Sequence, residues 1–192
     1  MGRCPGCGEW NTMTEVVEER GPAPPSTAIQ SQPLPLADVQ AEGLDRVPLP
    51  MEELSRVLGG GLVPGSLVLV GGEPGIGKST LLAQAAALVA ETTGRPVLYV
   101  SGEESARQIK MRADRMELET DGVYVLTETS LEAILHHAGE MEPVMLVADS
   151  IQTITSADLT SAAGSISQVR EAASRFQRWA KGGGSAVFLV GH

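Results

Sequence analysis

Short apolar runs alternate with amphipathic stretches along most of the chain. "SLVLVGG" (66–72), "PVLYVSG" (96–102), "GVYVLTE" (122–128), "PVMLVADS" (143–150) and "SAVFLVGH" (185–192) are compact and rich in β-branched residues, and they read as strands. Between them, "KSTLLAQAAALVAETTG" (78–94), "SARQIKMRADRME" (105–117), "SLEAILHHAGEM" (130–141) and "SISQVREAASRFQRWAKGG" (165–183) read as helices. Ser130 is the expected N-cap of the third of these. Upstream, Met51, Leu54 and Leu58 recur at spacings of three and four, which predicts a short amphipathic helix stopped by the glycines at 59–61. Nearly continuous apolar strands that alternate with helices call for a mostly parallel sheet covered by helices on both faces, an α/β fold.

The pattern weakens before residue 46. Residues 11–45 carry Pro22, Pro24, Pro25, Pro33 and Pro35 among Ser, Gln and Glu, the composition of a flexible linker. Residues 1–10, "MGRCPGCGEW", form a Cys/Gly element with Cys4 and Cys7 spaced C-x-x-C. The folded domain is expected over 46–192. Its last predicted strand ends with the chain, where a domain rarely finishes, so the sequence reads as a fragment of a longer one.

Composition narrows the picture. Aromatic residues make up only 3% of the 192, so the core must be built from Val, Leu, Ile, Ala and Met. A net charge of -10 argues against a broadly basic nucleic-acid coat and leaves room for a local basic groove. No apolar run reaches the roughly 18 residues of a membrane span, and the N-terminus lacks a signal peptide's apolar core, so a cytoplasmic location is expected. Two cysteines argue against a disulfide scaffold.

The chemistry concentrates in "GEPGIGKS", Gly72 to Ser79, which fits G-x-x-x-x-G-K-[ST] at every fixed position. Glycines let backbone N–H groups turn inward around phosphate oxygens, and the following helix points its positive end at them. The candidate nucleotide-binding residues are Gly72, Glu73, Pro74, Gly75, Ile76, Gly77, Lys78, Ser79 and Thr80, with Lys78 directed at the β and γ phosphates and Ser79 at Mg²⁺. A plain glycine turn with an exposed lysine is the bland alternative; the motif's place between an apolar strand and a good helix argues against it.

Acids end two of the predicted strands, where open α/β sheets bind ligands. Asp149 closes "VMLVADS" and is the candidate Mg²⁺-organising aspartate, its alternative being a turn or cap residue. Glu103 and Glu104 follow "VLYVSG". Glu103 is the first candidate for the base that takes a proton from the attacking water and Glu104 its competitor; a solvated first helical turn also favours acids. Residues 150–171 are small and polar and read either as an ordinary surface loop or as a grip on nucleic-acid phosphates, with Arg170, Arg175 and Arg178 nearby. Lys110, Arg112 and Arg115 read as a solvated helix face.

Together these residues resemble the RecA-like branch of P-loop ATPases, in which the catalytic glutamate follows the strand after the P-loop helix. Within it, "GRCPGCGEWNT", "LGGGLVPGSLVLVGGEPGIGKSTLL", "LYVSGEES", "VADSIQT", "GSISQVRE" and "VFLVGH" resemble the bacterial RadA (Sms) family of DNA-repair ATPases. That resemblance implies a RecA-like P-loop NTPase core preceded by a zinc ribbon. It further implies a DNA-dependent ATPase and ring helicase that drives branch migration in recombinational repair. The implied partners are single-stranded or branched DNA, the RecA recombinase and, in the full-length protein, a homo-hexamer; the implied cofactors are ATP and Mg²⁺. Lys78, Ser79, Glu103 and Asp149 match the catalytic set, and His192 lies in the sensor strand. Two departures stand out. The zinc element of the family has two C-x-x-C pairs and only one is present, so Zn²⁺ at Cys4 and Cys7 is expected only in a chain that holds the missing pair, His136 and His137 being poor substitutes. A lysine–arginine motif and a protease-like domain that follow "VFLVGH" in the family are missing. The competing expectations are a nucleotide-gated assembly protein of clock type without DNA coupling, and a small-molecule kinase; the paired glutamates of "GEES" favour water as nucleophile.

Overall fold

The computed structural model describes residues 33–39 and 45–191. Cys4, Cys7, most of the 11–45 segment and His192 lie outside those residues. Within 33–39 the chain makes one exposed 3-10 turn, Leu36–Asp38.

From residue 45 the strand–helix alternation appears as the hydrophobic pattern requires. The elements are α1 (Glu52–Val57), β1 (Leu67–Gly71), α2 (Lys78–Thr93), β2 (Val97–Ser101), α3 (Ala106–Arg115), β3 (Val123–Thr127), α4 (Leu131–Met141), β4 (Met145–Asp149), α5 (Ile166–Gly183) and β5 (Ala186–Gly191). All strand pairs are parallel, in the order β1-β5-β4-β2-β3. The strand carrying Asp149 and the strand leading to the P-loop are therefore separated by β5.

Strand side chains point alternately to two faces, and each face has its own helical layer. On one side Val97, Tyr99, Met145, Val147, Phe188 and Val190 pack against Leu82, Ala85, Ala86 and Val89 of α2 and Ile109 of α3. Leu98, Val100, Leu146, Ala148, Val187 and Leu189 pack on the other side against Leu131 and Ile134 of α4 and Ala172, Phe176 and Ala180 of α5. The alanine-rich face of α2 lets it lie close over the sheet. Met51, Leu54 and Leu58 pack against the first cluster, as their spacing predicts. Ser130 caps α4 by accepting from Ala133 N–H, and Ser105 and Gln108 form a capping box at the start of α3.

The segment after β4 departs from the surface-loop reading. It begins with a 3-10 turn, Ile151–Thr153, and buries Ile151, Ile154, Ser156 and Gln168. Gln168 on α5 accepts from Ser156 N–H and donates to the carbonyls of Ser156, Leu159 and Ser161, so one buried amide organises the whole loop. Arg175 donates to Glu132 of α4 at 2.5 Å and reaches Asp158 at 3.4 Å. Thus Arg175, read from sequence as a candidate DNA contact, is engaged in fastening this loop to α4.

Burial pushes the Glu132 carboxyl up, but the hydrogen bonds from Ser156, its own backbone, Arg175 and Ala157 N–H outweigh it and bring it down to about 2. Its folded value lies below the ordinary value of roughly 4.3, so its contribution to stability is complete above that pH and is lost as pH falls towards 2. Glu132→Gln should therefore be less stable than the wild type at neutral pH, with the gap closing in acid-dependent urea titrations; a gap independent of pH contradicts the assignment. Gln168→Ala should cost about 2 kcal/mol, because Ser156 N–H is left buried without its acceptor, and an unchanged urea midpoint contradicts that.

Candidate nucleotide and cation site

The parallel register brings the carboxyl ends of the strands into one row. Ser101 lies opposite Asp149 on one side and Thr127 on the other, and Gly71 lies opposite Gly191. From Gly71 the chain turns through 72–77 into α2. Gly75 and Gly77 sit at φ 81° and 100°, a backbone that side chains rarely adopt, and nothing lies within 4 Å of where a Cβ would stand at either. No side chain caps the first turn of α2, so its N–H groups face the loop's concavity. Glycine freedom, open space and a helix N-terminus are what a polyphosphate requires.

Lys78 Nζ donates to the carbonyls of Gly72 at 2.6 Å and Glu73 at 2.8 Å. A cavity of about 220 Å³ is lined by Pro74, Gly75, Lys78, Ser79, Glu103, Asp149, Ser150 and Val190. It is smaller than the roughly 300–1,000 Å³ of a pocket that encloses a whole ligand, which suits the phosphate end of a nucleotide. Lys78, Ser79, Glu103 and Asp149, drawn from three different strand ends, thus share one cavity. Ile76 projects from the loop, 71% exposed, and Thr80 is half-buried in the first turn of α2. Ser79 and Asp149 pair a hydroxyl with a carboxylate, the hard oxygen donors that suit Mg²⁺ together with phosphate oxygens. Among the described residues no group of three or more His, Cys, Asp or Glu side chains forms a protein-only metal site.

The two neighbouring glutamates have different surroundings. Glu103 is exposed and faces the cavity, and its Oε1 accepts from Ser150 Oγ at 2.5 Å. Glu104 turns away and pairs with Arg112 of α3 at 2.9 Å. Arg112 is only 11% exposed along its side chain, which corrects its reading as part of a solvated face; Lys110, paired with Asp114, and Arg115 remain outside. Ser101 Oγ accepts from the N–H groups of both Glu103 and Glu104.

Gly102 fixes the height of this loop. A Cβ there would stand 2.6 Å from Thr153 Cβ, so only glycine allows the β2–α3 connection to lie against the turn after β4.

Tyr99 went unnoticed in the sequence. Its hydroxyl donates to Asp149 Oδ2 at 2.6 Å, accepts from Arg112 at 3.5 Å, and approaches the Ser79 carbonyl at 3.5 Å. Burial, then the charge of Asp149, pushes the hydroxyl well above the usual tyrosine range, so it remains a neutral donor. The available signal was a lone tyrosine in an aliphatic central strand, since a buried hydroxyl needs a partner.

Gly102→Ala should cost about 1–3 kcal/mol of stability, as the new methyl overpacks against Thr153. Urea denaturation checks this, and an unchanged midpoint contradicts it.

Comparison with known proteins agrees with this geometry. Residues 30–192 match the AAA domain family (AAA_25). The DNA repair protein RadA of Halalkalibacterium halodurans is 49% identical over 197 aligned residues, which take in 100% of this chain and 43% of that protein. The Pseudomonas aeruginosa and Bacillus subtilis proteins of the same name are 48% and 46% identical, again over 100% of this chain and 43% of theirs. The chain thus spans less than half the length of these curated relatives and fits a portion of a longer RadA. A KaiC-like protein from Pyrococcus horikoshii OT3 superposes with a TM-score of 0.63 at 22% identity, covering 77% of this chain and 70% of that one, a likeness that speaks for the fold alone. With a RecA-like P-loop core and a family match over most of its length, the chain belongs to the AAA domain family.

Proposed function

We propose that this chain is the ATP-hydrolysing core of a DNA-dependent ATPase acting in recombinational repair. The observation that carries the reading is the convergence of Lys78, Ser79, Glu103 and Asp149 on one cavity at the mouth of an uncapped helix. The backbone of 72–77 binds the phosphates, and Lys78 exchanges its two carbonyl acceptors for anionic oxygens. Ser79 and Asp149 would hold Mg²⁺, which would supply charge neutralisation at the transferring phosphoryl group. Glu103, oriented by Ser150, accepts the proton of the attacking water. The pairing of Glu104 with Arg112 supports Glu103 over Glu104 as the base. Glu103→Gln should retain nucleotide and lose turnover by roughly 10²–10⁴-fold, whereas Glu104→Gln should lose much less. The reverse order of the two variants overturns this division.

Support for DNA as the coupled partner is of a different kind. The relatives named above are DNA repair proteins. The loop between the turn at Ile151–Thr153 and α5 is held by Gln168 and Arg175; the exposed Arg170 lies in the second turn of α5, and the exposed Arg178, farther along it, pairs with Glu171 at 3.8 Å. Phosphate contacts from such groups carry no base readout. On the family resemblance, the longer protein is a cytoplasmic homo-hexamer that works with the RecA recombinase. Among the described residues no helix is long and apolar enough to cross a membrane.

Phosphate release with and without single-stranded DNA tests the reading. DNA should raise turnover, and the gain should fall steeply with added salt. Lys78→Ala should weaken ATP binding roughly 10- to 100-fold through loss of a charge-assisted contact. ATP affinity unchanged in Lys78→Ala overturns the phosphate cradle, and turnover indifferent to DNA favours the clock-type assembly protein.

A further inference from the structure

The hydroxyl of Tyr99 lies between the two residues that would hold the cation. It donates to Asp149 Oδ2 at 2.6 Å and stands 3.5 Å from the Ser79 carbonyl at the start of α2. A phenol has one proton, and the short contact shows that it goes to the carboxylate. Tyr99 itself is 1% exposed, in the middle of β2. Arg112 donates to the Tyr99 hydroxyl oxygen at 3.5 Å, and Glu104 pairs with Arg112 at 2.9 Å. A chain of four side chains therefore runs from the β2–α3 loop through α3 and β2 to the strand end at Asp149.

We propose that Tyr99 is the positioning residue of the cation site: it fixes the Asp149 carboxylate relative to the first turn of α2, and the Glu104–Arg112 pair holds Tyr99 in place. This rests on the hydrolase reading above. A carboxylate at a strand end, 9% exposed, needs donors to offset its desolvation, and without one its side-chain torsion is free to turn. Tyr99 removes that freedom by engaging one oxygen in a charge-assisted bond. The adjacent glutamates then divide the work. Glu103 faces the reacting end of the cavity, while Glu104 anchors the support beneath the cation.

The experiment is a calorimetric titration of a non-hydrolysable ATP analogue, with and without Mg²⁺, on the wild-type chain and on Tyr99→Phe. The variant keeps the ring and removes only the hydroxyl. The Mg²⁺ concentration for half-maximal effect should rise about tenfold, as for loss of an outer-shell partner, while metal-free nucleotide affinity stays the same. Lower thermal stability with an unchanged Mg²⁺ dependence would mean a purely structural tyrosine and overturn the proposal. If Tyr99→Phe does not fold, Glu104→Gln carries the test, since it releases Arg112 without touching the cavity; a smaller shift in the same direction supports the proposal and none overturns it. A wild-type chain whose nucleotide binding ignores Mg²⁺ removes the hydrolase reading itself, a failure distinct from a wild type that responds to Mg²⁺ equally with its variant.

Discussion

The parallel register of five short strands is the constraint on which the site depends. Parallel pairing sends every strand end to the same edge, and here it sets Thr127, Ser101 and Asp149 side by side and Gly71 beside Gly191. The 72–79 loop, Glu103 and Asp149 belong to three connections far apart in the sequence. Lys78, Glu103 and Asp149 meet because β1, β2 and β4 end at one level, and those strands are held level by two apolar layers that use alternate residues of the same strands. A slip of one residue in β2 would turn Tyr99 towards α4 and Leu98 towards α2.

Electrostatics is the second constraint. Glu103, Glu104 and Asp149 lie close together in a chain of net charge -10, and the fold gives each a different partner. Ser150 holds Glu103, Arg112 neutralises Glu104, and Tyr99 donates to Asp149. Those partners decide which acid faces the cavity. The same logic recurs across the sheet, where Glu132 binds Arg175, Ser156 and the backbone of the loop that follows β4. Acids here act as fasteners for loops, with Glu103 the one left facing the cavity from an exposed position.

Much of this was legible before any coordinates. The strand and helix alternation, the cap at Ser130, the P-loop and the acids at strand ends all follow from spacing and residue type. Hidden features required knowing which strands are neighbours. Arg112 looked solvated because it sits among Lys110 and Arg115, yet its side chain is largely buried and pairs with Glu104 of the β2–α3 loop. Residues 150–171 read either as a surface loop or as a grip on phosphates because Ser, Thr and Gly outnumber apolar residues; Ile151, Ile154 and Gln168 give it a buried side that composition conceals. Gly102 carries no local signal, because its requirement comes from Thr153, which the fold brings against it.

The central claim is that three strand ends form one phosphate and cation site. A crystal structure of the chain with Mg²⁺ and a non-hydrolysable ATP analogue tests it most directly. The account predicts the terminal phosphate in the cavity between Lys78 and Glu103, with the cation between the Ser79 hydroxyl and the Asp149 carboxylate and Tyr99 still bonded to Asp149. A nucleotide bound away from the 72–77 loop, or a cation that does not approach Asp149, would contradict it.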